Sequence, residues 1–225
     1  MKIAIITDTH FGARNDNVNF NDYFYRFYEG QFFPYLQQHG IKDVIHLGDV
    51  MDRRKFISYR IAKDFRERFI LPFQVLDINL HMLGKLQSNK AKKAVDLFDY
   101  IHSLDNEKLA LKISQYQKEL NKNVKLFIQV NLAEEKQKTG ITLSNLKSFY
   151  NLCVNDLSLN IIGLMCLPPI NSNSDKYFKL LKKSSDDMNL KELSMGMSSD
   201  YENALTNGST FLRIGTLIMG ERNIT

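Results

Sequence analysis

The chain has 225 residues, of which 44% are hydrophobic and 24% charged, and 30 Lys and Arg against 25 Asp and Glu give a formal net charge of +5. This length allows one large domain or two small ones, and the composition is that of an ordinary soluble globular protein. No apolar run reaches the roughly 20 residues that span a bilayer, so we expect no membrane association. The positive charge is spread too thinly to indicate nucleic-acid binding.

The amino terminus and the cysteines both indicate a cytoplasmic protein. The opening MKIAIITD has no basic region, long apolar stretch or cleavage site, so we expect no signal peptide. Cys153 and Cys166 are the two cysteines and lie in separate apolar segments. We expect both to be buried and reduced.

Strand-like and helix-like segments alternate along almost the whole chain. Most strand candidates are continuous apolar runs, which suits the strands of a parallel sheet that is covered on both faces. The eight candidates are residues 2–8, 43–49, 79–84, 99–105, 124–132, 159–167, 191–196 and 211–216. Eight strands with helices between them predict an α/β fold of the (β/α)8 TIM-barrel type. An open doubly wound sheet is the alternative.

Apolar residues at helical spacing predict the main helices. Residues 106–120 and 142–153 each show one apolar face, and Asp105 is the predicted N-cap of the first of these helices. Residues 18–38 predict another helix, interrupted near Gly30 and Pro34. Its aromatic stripe is expected to pack in the core: Phe20, Phe24 and Phe27.

Potential metal ligands follow the first two predicted strands. Asp8 and His10 lie two residues apart at the end of the first strand, so alternation places both side chains on one face. Asp49 follows the second strand. Carboxylates and imidazoles at strand ends can hold Mn, Fe or Zn, and a carboxylate bridging two metals would activate water for phosphoester hydrolysis.

The pattern D-x-H followed by G-D-x-x-D resembles the opening of the calcineurin-like metallophosphoesterases. The stretch HLGDVMDRRKFISYRIAKDFRERF is similar to phage recombination endonuclease subunits, and this resemblance covers about residues 1–83. It implies metal roles for Asp8, His10 and Asp49, with Asp49 bridging. The family supplies further histidines later in the chain, whereas no histidine here lies beyond His102. We therefore expect an incomplete site that holds a divalent metal such as Mn weakly, if at all.

Two loops of small residues follow the last two strands. In LSMGMSSDYENAL, residues 193–205, a strand ends at Gly196, and Ser199 with Glu202 forms a predicted capping box that opens a helix. The free N–H groups of such a helix attract anions. The second loop flanks the strand in GSTFLRIGT, residues 208–216. Because barrels often bind phosphate with the loops after strands seven and eight, this pairing predicts a phosphate site.

The same region carries a second resemblance, over about residues 79–225. The stretches HMLGKLQSNK, IHSLDNEKLA, IQVNLAEEKQKTGI, IIGLMCLPP, LSMGMSSDYENAL and GSTFLRIGTLIMGER resemble the pyridoxal-phosphate homeostasis proteins, whose barrel is similar to the N-terminal domain of alanine racemase. It implies a phosphorylated small molecule, pyridoxal 5'-phosphate, as ligand. The implied cofactor-binding residues are Ser194, Met197, Ser198, Arg213, Gly215 and Thr216.

The resemblance also implies how these residues act. Ser198, Gly215 and Thr216 would contact the phosphate, and Arg213 would face the pyridine nitrogen. An arginine there keeps that nitrogen unprotonated and weakens the ring as an electron sink, which fits a carrier or buffer better than a catalyst. The first strand of the family ends in a lysine that forms a Schiff base with the cofactor, whereas the first strand here ends in Asp8. We therefore expect non-covalent binding.

The two resemblances meet at LHML, a strand that both families share. The chain is accordingly interpreted as residues 1–79, a phosphoesterase-like βαβα segment that supplies strands 1 and 2, and residues 80–225, a barrel segment that supplies strands 3–8. This predicts a pyridoxal-phosphate-binding, homeostasis-type protein without the Schiff-base lysine and without enzymatic activity. The alternatives are a remnant of a metal-dependent phosphodiesterase or DNA nuclease, and an inactive fusion of natural, assembly or designed origin.

Overall fold

The computed structural model describes residues 3–6, 9–46, 58–133, 139–169 and 172–214. Eight β-strands lie within these ranges, and each overlaps one of the eight strands predicted from the sequence. They are β1 (Ile3–Ile6), β2 (Asp43–His46), β3 (His81–Met82), β4 (Tyr100–Leu104), β5 (Lys125–Val130), β6 (Asn160–Cys166), β7 (Glu192–Met197) and β8 (Phe211–Arg213).

Helices occupy most of the connections between these strands. The α-helical segments are α1 (Ala13–Asp16), α2 (Val18–Phe27), α3 (Phe33–Gln38), α4 (Tyr59–Asp64), α5 (Leu71–Val75), α6 (Ala91–Leu97), α7 (Glu107–Leu120), α8 (Leu143–Asn151), α9 (Ser174–Asp187) and α10 (Tyr201–Thr206). Three π-helical turns, Tyr28–Phe32, Phe65–Ile70 and Leu152–Asp156, and one 3-10 turn, Ser88–Lys90, adjoin them. Across the described residues, none of the helices is both long and apolar enough to cross a membrane.

All strand pairs are parallel, and the described strands form two sheets. One sheet has the order β1-β2, and the other has the order β3-β4-β5-β6-β7-β8. The chain divides into two compact units, residues 1–79 and residues 80–225. The predicted α/β class with parallel strands is therefore confirmed.

The six-stranded sheet curls into a half-barrel. Its edge strands are β3 and β8, which would lie about 24 Å apart if the sheet were flat, because neighbouring strands are about 4.8 Å apart. The ring of Phe211 on β8 nevertheless lies 5.6 Å from the ring of His81 on β3 and 6.0 Å from the ring of Tyr100 on β4. Side chains of widely separated strands therefore meet on the concave face, as in a barrel interior.

In residues 80–225, the side chains between the six-stranded sheet and the helices that cover it form one apolar core. Cys153 and Cys166 are both buried in it as free thiols, as the sequence predicts. Burial raises the pKa of each thiol to about 12, so both stay protonated. The fully buried large side chains of this core include Ile101, Leu104, Leu109, Ile113, Leu126, Ile128, Leu164 and Phe178.

Helix α7 corrects the predicted N-cap by one residue. Asn106 caps it, because its side-chain oxygen accepts a hydrogen bond from the backbone N–H of Leu109 at 2.9 Å. The predicted cap, Asp105, is buried and accepts a hydrogen bond from the Asn106 amide instead. Asn and Asp cap helices equally well, so the sequence alone does not decide between neighbours.

The first unit is held by an aromatic cluster rather than by the predicted stripe. The ring of Phe11 lies 4.9 Å from those of Phe65 and Phe69 and 5.4 Å from that of Tyr25. Each such pair adds to the burial of large apolar area. The helix continues from α2 to α3 through a π-helical turn that contains Gly30, so the predicted interruption is a local change of hydrogen-bond pattern and not a break.

The predicted core face of α2 was wrong. Phe27 is 46% exposed, and Phe20 and Phe24 are only half-buried. The helix buries Asn21 and Tyr25 instead. Phe11, which comes from the segment before the helix, packs on Tyr25 and so selects the tyrosine face.

Candidate functional site

A tight turn joins β7 to α10 at the carboxyl end of the six-stranded sheet. The Met197 N–H donates to the Asp200 carboxylate at 2.7 Å, and the Asp200 N–H donates to the Met197 carbonyl at 3.0 Å. Gly196 precedes the turn with φ +96°, a conformation that a side chain would strain. The turn is thus closed from both ends, and Ser198 lies half-buried within it.

The predicted capping box at this turn was wrong. Asp200, not Ser199, occupies the N-cap position, and α10 begins at Tyr201. Glu202 accepts a hydrogen bond from the Tyr201 hydroxyl at 3.2 Å rather than closing a box. Asp200 uses its carboxylate to hold the turn, which starts the helix one residue later than the sequence pattern predicts.

Arg213, the last residue of β8, is fixed by three hydrogen bonds. Its Nη1 donates to the Ser194 carbonyl at 2.9 Å and to the Ser194 hydroxyl at 2.8 Å, and its Nη2 donates to the Cys166 carbonyl at 2.8 Å. Its Nε is buried and has no hydrogen-bond partner among the described residues. Burial lowers the pKa of Arg213, but a guanidinium remains charged in proteins. The site therefore holds a buried cation with one unsatisfied donor.

A chain of polar side chains continues from Arg213 across the concave face. The Ser194 hydroxyl lies 2.8 Å from His102 Nδ1, and His102 Nε2 lies 3.0 Å from His81 Nδ1. Ser194 is fully buried, and His102 is 1% exposed. These contacts join β8, β7, β4 and β3 through side chains alone.

Chemistry fixes the direction of this polar chain. Arg213 can only donate, so the Ser194 oxygen accepts from it and the Ser194 hydroxyl proton goes to His102 Nδ1. The other nitrogen of a neutral His102 then carries the proton and donates to His81 Nδ1. The reverse direction would leave the buried Ser194 proton without an acceptor, which is costly.

His102 is held in its neutral form. Burial above all, with the neighbouring His81 and the charge of Arg213, lowers its pKa from the ordinary 6.5 to about 3. Its ring stacks on Phe127 with centroids 4.2 Å apart and planes 17° apart. A neutral imidazole with one acceptor and one donor nitrogen suits its place between a hydroxyl and a second imidazole.

The structure places four of the six predicted cofactor-binding residues on or beside β7 and β8: Ser194, Met197, Ser198 and Arg213. Ser194 contacts Arg213 directly, and Met197 is the strand partner of Arg213. Gly215 and Thr216 lie outside the described residues.

Of the predicted metal ligands, only His10 belongs to the described residues, where it is half-buried with φ 39°. Asp8 and Asp49 lie outside them. Across the described part of the chain, no group of three or more His, Cys, Asp or Glu side chains could hold a metal ion.

Sequence reasoning missed His102 and His81 as members of the site. One signal was present: Tyr100 and His102 lie on either side of Ile101 in β4, so both belong to one face of the strand. A histidine on the buried face of a strand needs a polar partner. The partner itself, Ser194, lies 92 residues away along the chain.

Comparisons with known proteins agree on the family. The profile described as "Alanine racemase, N-terminal domain" matches residues 64–223, so the match begins before the expected boundary near residue 79. Two curated relatives, both called "Pyridoxal phosphate homeostasis protein", come from Synechocystis and Aquifex aeolicus. The first is 41% identical over 155 residues, which are 65% of this chain and 71% of the relative; the second is 36% identical over 156 residues, which are 65% and 68%.

Solved structures of PipY from Synechococcus elongatus are similar as well. The structure without pyridoxal phosphate has a TM-score of 0.64 and 28% identity, and the similarity covers 97% of this chain and 91% of PipY. The structure of PipY with pyridoxal phosphate bound has the same TM-score and identity, and the similarity covers 84% of this chain and 86% of PipY. This chain therefore belongs to the pyridoxal phosphate homeostasis protein family and contains an alanine racemase N-terminal domain.

Proposed function

We propose that this chain binds pyridoxal 5'-phosphate non-covalently at the carboxyl ends of β7 and β8 and acts as a carrier or buffer of the cofactor. Membership of the family supports this proposal, and so does the similarity to PipY, which has been solved with pyridoxal phosphate bound. The ligand belongs to the class that the sequence predicts, a phosphorylated small molecule.

The observation that carries the proposal is the state of Arg213. Its Nη atoms are engaged by Ser194 and Cys166, while its buried Nε lacks a partner within the described part of the chain. A buried donor without an acceptor is rare and costly unless a ligand supplies the acceptor. The pyridine nitrogen of the cofactor is such an acceptor, so the residues present fit the group.

The turn between β7 and α10 fits the phosphate end. Ser198 supplies a hydroxyl there, and Gly196 lets the backbone change direction sharply. Gly215 and Thr216, which follow β8 in sequence, are proposed to complete the phosphate contacts. Ser194 has its hydroxyl fully used by Arg213 and His102, so we assign it a supporting role rather than ligand contact.

Pyridoxal phosphate supplies an aldehyde that combines reversibly with amines and a ring that withdraws electrons. The chain orients the ring through Arg213, whose fixed positive charge keeps the facing nitrogen unprotonated and so weakens that withdrawal. Lys85 and Lys90, which follow β3, are exposed. We propose that neither of them, nor any other lysine of the chain, forms a covalent bond with the cofactor.

Titration with pyridoxal phosphate tests this proposal. We expect saturable binding with an absorption band that stays near that of the free aldehyde, because no lysine reacts. Borohydride treatment followed by peptide mass spectrometry should find no lysine that is modified to a greater extent than the exposed lysines of an unrelated control protein treated in the same way. Absence of saturable binding would overturn the whole proposal, and stoichiometric modification of one lysine would overturn its non-covalent part.

We also propose that residues 1–79 derive from a metallophosphoesterase-like βαβα segment, and that residues 80–225 derive from the barrel family. The D-x-H and G-D-x-x-D motifs support this, as does the pairing of β1 with β2 in a sheet of their own. The division into compact units at residue 79 is compatible with it.

The metal site of that segment is proposed to be incomplete, so we expect no manganese-dependent hydrolysis of bis(p-nitrophenyl) phosphate above the buffer rate. The assay uses the full chain with about 1 mM MnCl2, and calcineurin-type phosphoesterase as a positive control. Activity that Asp49→Asn abolishes, and that Asp77→Asn leaves intact, would show a working phosphoesterase. Asp77 is a suitable control because its exposed carboxylate pairs only with Lys42 among the described ion pairs.

A further inference from the structure

The polar chain behind Arg213 is longer than ligand binding requires. Three side chains, Ser194, His102 and His81, connect in series from the arginine to the opposite edge of the six-stranded sheet. None of the three makes any of the proposed phosphate and ring contacts. Burying such polar groups is costly, and that cost indicates a role for the series.

We propose that Ser194, His102 and His81 are positioning residues: they hold the Arg213 guanidinium in one orientation and thereby set the affinity and electronic state of bound pyridoxal phosphate. The inference rests on the proposed function. It makes the affinity for pyridoxal phosphate depend on residues that do not touch the ligand. Groups behind a ligand-binding side chain commonly fix its geometry in this way.

The orientation of Arg213 depends on Ser194. One nitrogen, Nη1, reaches both the carbonyl and the hydroxyl of Ser194, which prevents the guanidinium from rotating while both bonds persist. The hydroxyl can serve as acceptor only if its own proton is directed elsewhere. His102 Nδ1, at 2.8 Å, is the group that receives it.

The hydrogen bond between Ser194 and His102 depends on the protonation state of His102. A protonated His102 would have a donor at Nδ1, which would leave the buried Ser194 hydroxyl proton without its acceptor. Burial and the nearby guanidinium of Arg213 keep His102 neutral, and His81 Nδ1 accepts from its other nitrogen, which selects the required tautomer.

Beyond His81, the polar chain continues to Tyr100 and Lys125. His81 stacks on Tyr100 with centroids 4.0 Å apart, and the Tyr100 hydroxyl accepts from the exposed Lys125 at 2.8 Å. The series therefore runs from Arg213 at the end of β8 to Lys125 at the start of β5. Ser194, His102 and His81 each contact a partner on both sides. Removing one of these side chains therefore leaves its neighbours free to change orientation.

Two variants and one matched control test the inference. His102→Phe keeps an aromatic ring over Phe127 but removes the acceptor for Ser194, and Ser194→Ala removes the link to Arg213. Phe127→Leu removes the stack while leaving all the hydrogen bonds of the polar chain. We expect the first two to weaken pyridoxal phosphate binding at least tenfold and to shift its absorption maximum, whereas Phe127→Leu changes affinity less than threefold and leaves the spectrum unshifted.

A second measurement needs no ligand. Hydrogen exchange of the Arg213 Nε–H, assigned by its loss in Arg213→Lys, reports how firmly the guanidinium is held. We expect exchange at least tenfold faster in His102→Phe and Ser194→Ala than in the wild type. The double variant should be no worse than either single variant, because both break one series.

The outcomes are distinguishable. If the wild type binds no pyridoxal phosphate, the proposed function fails, and the exchange rates still decide whether the polar chain positions Arg213. If both variants retain wild-type affinity, spectrum and exchange, the positioning role is overturned. If Phe127→Leu has the same effects as His102→Phe, general packing explains the result and the inference is overturned as well. Nitrogen-15 shifts showing a proton on His102 Nδ1 would also overturn it.

Discussion

Substituting alanine for Gly163 will destabilise the protein by about 3 kcal/mol or more, the upper range for an overpacked core position. Gly163 on β6 pairs with Glu192 on β7. A Cβ atom at residue 163 would lie 2.1 Å from the carbonyl oxygen of Glu192 and 2.7 Å from its carbonyl carbon. Both are backbone atoms of a paired strand, so a side-chain rotation does not relieve the contact and the two strands must separate.

Urea unfolding followed by circular dichroism measures this effect. Gly84→Ala is the matched control, because a Cβ there would have no neighbour within 4 Å and the residue has no positive φ. We expect that control to stay within about 0.5 kcal/mol of the wild type. Equal unfolding midpoints for Gly163→Ala and Gly84→Ala would contradict the packing of β6 against β7. It would also undermine the site, because the Cys166 carbonyl on β6 and Ser194 on β7 both hold Arg213.

The strands were predictable because their signal is local. A run such as residues 159–167 is apolar on both faces, and in a parallel sheet both faces are covered. The strand β6 indeed extends over Asn160–Cys166 within that run. The number and order of the strands needed no knowledge of distant contacts, since consecutive strands of the six-stranded sheet are also neighbours in space.

Helix ends and helix faces were less predictable because the competing choices are close in energy. Asp105 and Asn106 are both good N-caps, and so are Ser199 and Asp200. In both cases contacts outside the cap decide the outcome: Asp105 accepts from the Asn106 amide, and the Asp200 carboxylate accepts from the Met197 N–H. Likewise, several aromatic residues of α2 could face the core, and the ring of Phe11 selects Tyr25.

The candidate site was predicted only in part, for a geometrical reason. Arg213 and Ser198 follow from resemblance to a family. The contact between His102 and Ser194 depends on the curl of the sheet, because β4 and β7 are separated by two strands. No local pattern encodes that curvature, so the polar chain required the structure.

Acid will destabilise this protein between pH 6.5 and about pH 3 through His102. The pKa of His102 is about 3 in the folded state, mainly because of burial, and 6.5 is the ordinary value expected once the chain unfolds. In this interval the unfolded state binds the proton and the folded state does not. The free energy of unfolding contributed by His102 is therefore complete above pH 6.5 and is lost as the pH falls toward 3, by up to roughly 5 kcal/mol.

The measurement is the urea midpoint of the wild type and of His102→Phe at a series of pH values from 7 to 4. Ionisable groups remote from residue 102 have the same surroundings in both proteins, so their contribution cancels in the difference. We expect the free energy of unfolding of the wild type minus that of His102→Phe to fall steadily as the pH falls, because the wild type loses the His102 contribution and phenylalanine binds no proton. Parallel curves would show that His102 takes up a proton in the folded state as readily as in the unfolded state. That result would mean its ring is not enclosed between Phe127 and the Ser194 hydroxyl, and the same conclusion would follow if its NMR signals in the folded wild type titrated near pH 6.5.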